Sequence, residues 1–157
     1  MLNGWLHLIA LFTYAGSIVG LSAMLLPAVA TIKSHEDKLT LLVRGLKLYN
    51  PLQVGSLGIL VFTGAFQLTE LKAAYRELFA KQLGYDLGMK LLFAFFLIIV
   101  SVWQSMGIGH RLVRTHDAGE TISEQQLASV TRRLQSSTWL ILALALITAW
   151  FGLRLRF

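Results

Sequence analysis

The 157-residue chain contains no cysteine, so disulfides, thiolate metal sites and thiol redox chemistry are excluded. Charge is scarce: Asp, Glu, Lys and Arg together make up 14% of residues, against about 25% in an ordinary soluble domain. No Gly-rich phosphate loop and no metalloprotease motif is present, and no serine nucleophile stands near a histidine in a recognised spacing. The net charge of +6 does not point to nucleic acid. The basic residues flank apolar runs, where they set orientation and meet anionic lipid.

What the chain has in abundance is apolar surface: 55% hydrophobic residues and a mean hydropathy of +0.64. A helix needs ~20 apolar residues to cross a hydrocarbon layer. Four runs reach that length, at about 5–32, 51–71, 87–111 and 134–153. The expected fold is therefore all-α, an integral membrane bundle of four transmembrane helices in a single domain, 1–157. No basic segment precedes the first run, which is expected to stay on as the first helix rather than act as a signal peptide. Pro27 is expected to kink that helix, and Pro51 to open the second. Amphipathic interfacial helices are expected at about 40–49 and 73–83.

Within the spans, polar residues are few and patterned. In the first, His7, Tyr14, Ser17 and Ser22 accompany Gly16 and Gly20, whose spacing suits a close helix approach. In the second, Ser56, Thr63, Gln67 and Glu70 fall at steps that keep them on one face. The third span holds Lys90 one turn inside its leading edge and His110 at its far end. An ionisable group in a span is a functional candidate, although Lys90 also has Asp86 four residues earlier as a helical partner. Ser123 or Thr121, with acids just after, marks a helix start. Trp139 and Trp150 sit near the two ends of the last span, as an aromatic belt would place them.

Lysines and arginines set the expected orientation. Lys33, Lys38, Arg44, Lys47, Arg111, Arg114, Arg132 and Arg133 flank the first and third loops. Lys72, Arg76, Lys81, Arg154 and Arg156 lie at the opposite end. This bias favours cytoplasmic first and third loops and both termini outside. His7, Gln67, Glu70, Met89 and Lys90 then belong to the outer end. Met24, His35, Met106, His110 and His116 belong to the inner one, about 25–30 Å away at 1.5 Å per helical residue. His7 and His110 therefore cannot ligate one haem iron. A haem on His7, with Lys90, a methionine or water opposite, stays open. So does Cu(I), which suits thioether and imidazole ligands: Met1, His7 and Met89 outside, and Met24, Met106 and His110 inside.

The motifs resemble a known family. The segment LHLIALFTYAGSIVGLSAMLLPA carries His7, Gly16 and Pro27 in the pattern of the first helix of the copper resistance protein D (CopD) family. LVFTGAFQ has the Thr63-Gly64 pair of its second helix. YDLGMKLLFAF places Lys90 where that family has an intramembrane lysine. In RRLQSSTWLILALAL the arginine run matches, while Trp139-Leu140-Ile141 stand where an early acid is usual. The four-helix unit also resembles HemJ-type protoporphyrinogen oxidases, which share a first-helix histidine and a third-helix lysine and are associated with haem b. The CopD likeness implies a bacterial inner-membrane protein of copper uptake or tolerance. In it, His7 and Met89 would hold a copper ion, and Lys90, Glu70, Gln67 and Tyr14 would orient or tune the site. A copper-binding periplasmic partner or a second copy of the chain would complete it. The HemJ likeness implies a haem-dependent oxidoreductase, and an accessory subunit packing through Gly16 and Gly20 is the third alternative.

Overall fold

The computed structural model describes residues 2–71 and 82–154, with only the backbone described at 70, 71, 82 and 83. Four helices account for nearly all of them, and no strand occurs among the described residues. Helix α1 runs over Leu2–Gly20, widens into a π-helical turn at Leu21–Leu25 and ends as Leu26–Thr31. Helix α2 is unbroken over His35–Leu71. Helix α3 comprises Gln82–Val102, a π-helical stretch Trp103–His110, and Arg111–Asp117. Helix α4 spans Glu124–Arg154.

Three local rules account for the helix ends and irregularities. Pro27 lacks an N–H and its ring crowds the carbonyl four residues back. The wider π turn at Leu21–Leu25 takes up that misfit, so the helix continues past the proline. At the end of α3, Gly119 takes φ +73°, and the Glu120 amide bonds the Thr115 carbonyl at 3.2 Å, a glycine-terminated helix end. Ser123 then starts α4 as a capping box. Its hydroxyl accepts the Gln126 amide at 3.2 Å, and the Gln126 side chain accepts the Ser123 amide at 3.0 Å.

The separate interfacial helix expected at 40–49 does not exist as such. It is continuous with span two through Pro51, and its apolar residues Leu42, Val43 and Leu46 are fully buried. They have helical partners, not lipid. Leu21, Leu25, Leu26 and Val29 of α1, Ile108 and Leu112 of α3, and Leu127 and Leu134 of α4 form one core with them. The stretch expected to form a second interfacial helix, 73–83, lies almost wholly outside the described residues.

The four candidate spans measure 30, 35, 34 and 31 residues, about 45–53 Å at 1.5 Å per residue. That exceeds the ~30 Å of a hydrocarbon core. Charge locates the part that fits. Residues 48–69 of α2, 91–110 of α3 and 134–153 of α4 carry no Asp, Glu, Lys or Arg. Each stretch is ~20 residues, or ~30 Å. All four helices therefore project beyond the layer together at the end carrying the 32–34 and 118–123 connections, and the leucine-rich core fills that projection.

A buried polar layer lies inside the charge-free band. Gln104, 1% exposed, accepts the Gln53 amide at 3.1 Å. Its own amide donates to Thr138 Oγ1 at 2.6 Å and to the Leu134 carbonyl at 3.2 Å. The Tyr14 hydroxyl bonds Ser101, with the Gln53 side chain also reaching it. One hydroxyl, Ser105 Oγ, is buried with no hydrogen-bond partner among the described residues. Removing one member of a buried bonded pair costs about 1–3 kcal/mol, whereas deleting an unpaired buried polar group relieves a cost. Gln104→Leu is thus expected to lower the thermal unfolding midpoint in detergent, and Ser105→Ala to hold or raise it. Circular dichroism melts check this, and equal losses for the two variants would contradict the layer.

Candidate functional site

His7 and Lys90 both lie toward the end of the band opposite the leucine-rich core. Helices α1 and α2 pair along their length, as do α3 and α4, while the two pairs meet less closely. His7 faces α2. Its Nδ1 lies 2.7 Å from Thr63 Oγ1, and the ring packs over Gly64, where an added Cβ would sit 3.7 Å from Cε1. The Thr63 hydroxyl also donates to the Ile59 carbonyl at 2.7 Å. A hydroxyl has one proton, so with that proton committed to Ile59, Nδ1 is the donor to Thr63. That arrangement is the Nδ1–H tautomer, with the lone pair on Nε2; a Thr63 proton turned to Nδ1 gives the other one.

Lys90 comes from the other helix pair. Its side chain runs across α4 at Gly152, where an added Cβ would meet Cε and Nζ at 3.5 Å. Its ammonium is close enough to His7 to act on the ring electrostatically. Asp86, one turn before Lys90, is buried as well. The expectation that His7 and Lys90 share a depth matches this geometry. Both lie near the rim of the charge-free band.

Leu97 and Ile141 are the last buried apolar residues on α3 and α4 toward His7, among the described residues. Past them, the α3–α4 pair is held by stacked rings, Phe93 on Phe151 at 5.8 Å between centroids. His7 and Thr63 of the α1–α2 pair, and Lys90 and Gly152 of the α3–α4 pair, thus lie toward the same end of the bundle.

The other expected site residues separate into three groups. Tyr14 is fully buried, but it belongs to the polar layer with Ser101 rather than to His7. Ser56 and Thr63 are buried and Gln67 is half-buried, so the polar face of span two does turn inward. Met89 is half-buried beside Lys90. Met24 and Met106 are 69% and 56% exposed, turned out of the bundle, and His110 is exposed too. Met1 and the Glu70 side chain lie outside the described residues. No group of three His, Asp or Glu side chains placed to hold a metal ion occurs among the described residues.

Gln53 and Gln104 escaped the sequence reading, although a glutamine inside an uncharged span is itself a signal. Thr63 stands out in the sequence as a member of a polar face and of the Thr63-Gly64 pair, while its bond to His7 depends on the register between α1 and α2. Gly20 does let a helix approach, since the Tyr49 ring packs on it, while Gly16 has nothing within 4 Å. No family model, curated protein or solved structure matches the chain.

The tautomer is open to direct test. Selective ¹⁵N labelling of histidine is expected to show His7 with protonated Nδ1 and unprotonated Nε2 in detergent at neutral pH. Thr63→Val, which removes the acceptor while keeping the shape, is expected to shift the ring toward the Nε2–H tautomer. A His7 signal that Thr63→Val leaves unchanged would break the link between the two residues.

Proposed function

We propose that this four-helix membrane protein holds a haem b at its His7 end, with His7 Nε2 as an axial ligand and Lys90 beside the group. The observation that carries this reading is the fixed imidazole. Histidines that ligate metals usually donate their other ring N–H to a protein acceptor, which sets tautomer and orientation, and Thr63 supplies that acceptor. A macrocycle brings four ligands of its own, so one well-held histidine suffices. Bound there, the haem would supply one-electron chemistry. The chain's own residues would orient the ligand ring through Thr63 and balance negative charge through Lys90, with Gly64 and Gly152 admitting the His7 ring and the Lys90 side chain.

Copper handling is the second reading. Met89, half-buried beside Lys90, supports it, since thioether and imidazole together suit Cu(I), and the resemblance to the CopD family points to the same metal. The resemblance to HemJ-type oxidases points to haem. Both likenesses place a histidine and a lysine at these two positions.

Absorption and metal analysis of the protein purified in mild detergent separate the readings. A Soret band is expected that disappears in His7→Ala and survives in Met89→Leu. A colourless sample carrying one copper, lost in both variants, would replace haem with copper. A colourless, metal-free sample that stays so after reconstitution with haem and with Cu(I) would remove both.

A further inference from the structure

A second feature of the membrane-embedded surface is independent of the haem reading. Between α1 and α2 on the lipid-facing side lies a groove of about 710 Å³, within the range of small-ligand sites. Two outward glycines of α2, Gly55 and Gly58, form its floor, and a Cβ added at either would meet nothing within 4 Å. Leu6 and Phe62 stand as walls, and the polar side chains of the lining are Asn3 and Thr63. On α2 the lining extends from Val54 to Phe66, 12 helical steps or ~18 Å. This falls wholly inside the charge-free stretch 48–69.

We infer that this groove binds one acyl chain of a phospholipid from the leaflet at the His7 end. Position determines the occupant. The face lies in the hydrocarbon layer, where acyl chains are the surrounding solvent, and its apolar lining gives water almost nothing to bond. Counted from residue 69, the groove begins ~4 Å inside the charge-free stretch at Phe66 and ends ~22 Å inside it at Val54, so it takes a chain that enters at the His7 end and reaches past the ~15 Å midplane. The polar wall residues lie where such a chain nears its headgroup. Asn3 Nδ2 holds the Thr63 carbonyl at 3.4 Å, a long bond that leaves the amide able to serve an ester oxygen. Thr63 backs the groove and also holds His7, so the bound chain presses on the residue that sets the imidazole.

The test uses the full chain. Wild-type protein extracted in mild detergent is expected to retain one phospholipid by native mass spectrometry. Gly58→Leu fills the floor without a clash and is expected to reduce retention about tenfold, which corresponds to ~1.4 kcal/mol. Gly88→Leu, at an exposed position on α3 with nothing within 4 Å, is the control and is expected to retain lipid as wild type does. Because the chain has no cysteine, Gly58→Cys supplies a single reporter. In vesicles it is expected to stay monomeric under oxidation and to contact a nitroxide carried on a phospholipid chain. Equal retention in Gly58→Leu and wild type would overturn the site. So would efficient disulfide dimers through Gly58→Cys, which would make a second copy of the chain the occupant.

Discussion

The Gln104 side chain sets the register on which the rest of this bundle depends. Between helices in lipid, the hydrophobic effect supplies little preference for one alignment over another. Hydrogen bonds and close packing must decide it. Gln104 uses its carbonyl on Gln53 of α2 and both amide hydrogens on α4, and the neighbouring Tyr14–Ser101 bond brings in α1. Fourteen residues separate Gln104 from Lys90, and fourteen separate Thr138 from Gly152 (104 − 90 and 152 − 138). Equal steps of ~21 Å along two antiparallel helices bring the Lys90 ammonium level with Gly152, as the packing of that pair requires. A slip of one turn between α3 and α4 would leave Lys90 under a side chain instead of a glycine.

The bundle divides its tasks between its two ends. At the end carrying the connections, the helices outrun the bilayer together and bury a leucine-rich core. There the hydrophobic effect operates, because the surroundings are water and headgroups. At the His7 end the same helices lie against hydrocarbon, and burying one more leucine gains little over leaving it in lipid. The interior there is accordingly held by a few specific contacts: His7 on Thr63, Phe93 on Phe151, Lys90 across Gly152. Stability concentrates where water enforces it, and the other end depends on those few contacts.

This division also explains what the sequence disclosed. Span number, the shared depth of His7 and Lys90, the inward face of Ser56, Thr63 and Gln67, and the Ser123 cap all follow from local pattern and helical rise. They needed no knowledge of neighbours. The continuity of α2 through Pro51 did not follow from pattern, because the apolar face of 40–49 reads alike whether it lies on lipid or on other helices. Only the joint projection of four helices decides between them. The π turns are similarly silent: Leu21–Leu25 looks like ordinary helix until Pro27 must be accommodated in a packed bundle. Met24 and Met106 share a thioether with Met89 and a depth with His110, yet they face outward, since rotation about the helix axis is fixed by tertiary contact.

Thr63 is where these separate facts converge. Its hydroxyl meets the Ile59 and Leu60 carbonyls of its own helix and the His7 ring of α1, and its flank lines the lipid-facing groove. In a helix, a threonine that bonds back to its own carbonyl adds little by itself. Here that back-bond fixes the direction of the single hydroxyl proton, and the direction fixes which nitrogen of His7 keeps its lone pair. The imidazole's chemistry is therefore set one residue away, by a side chain that also touches what fills the groove.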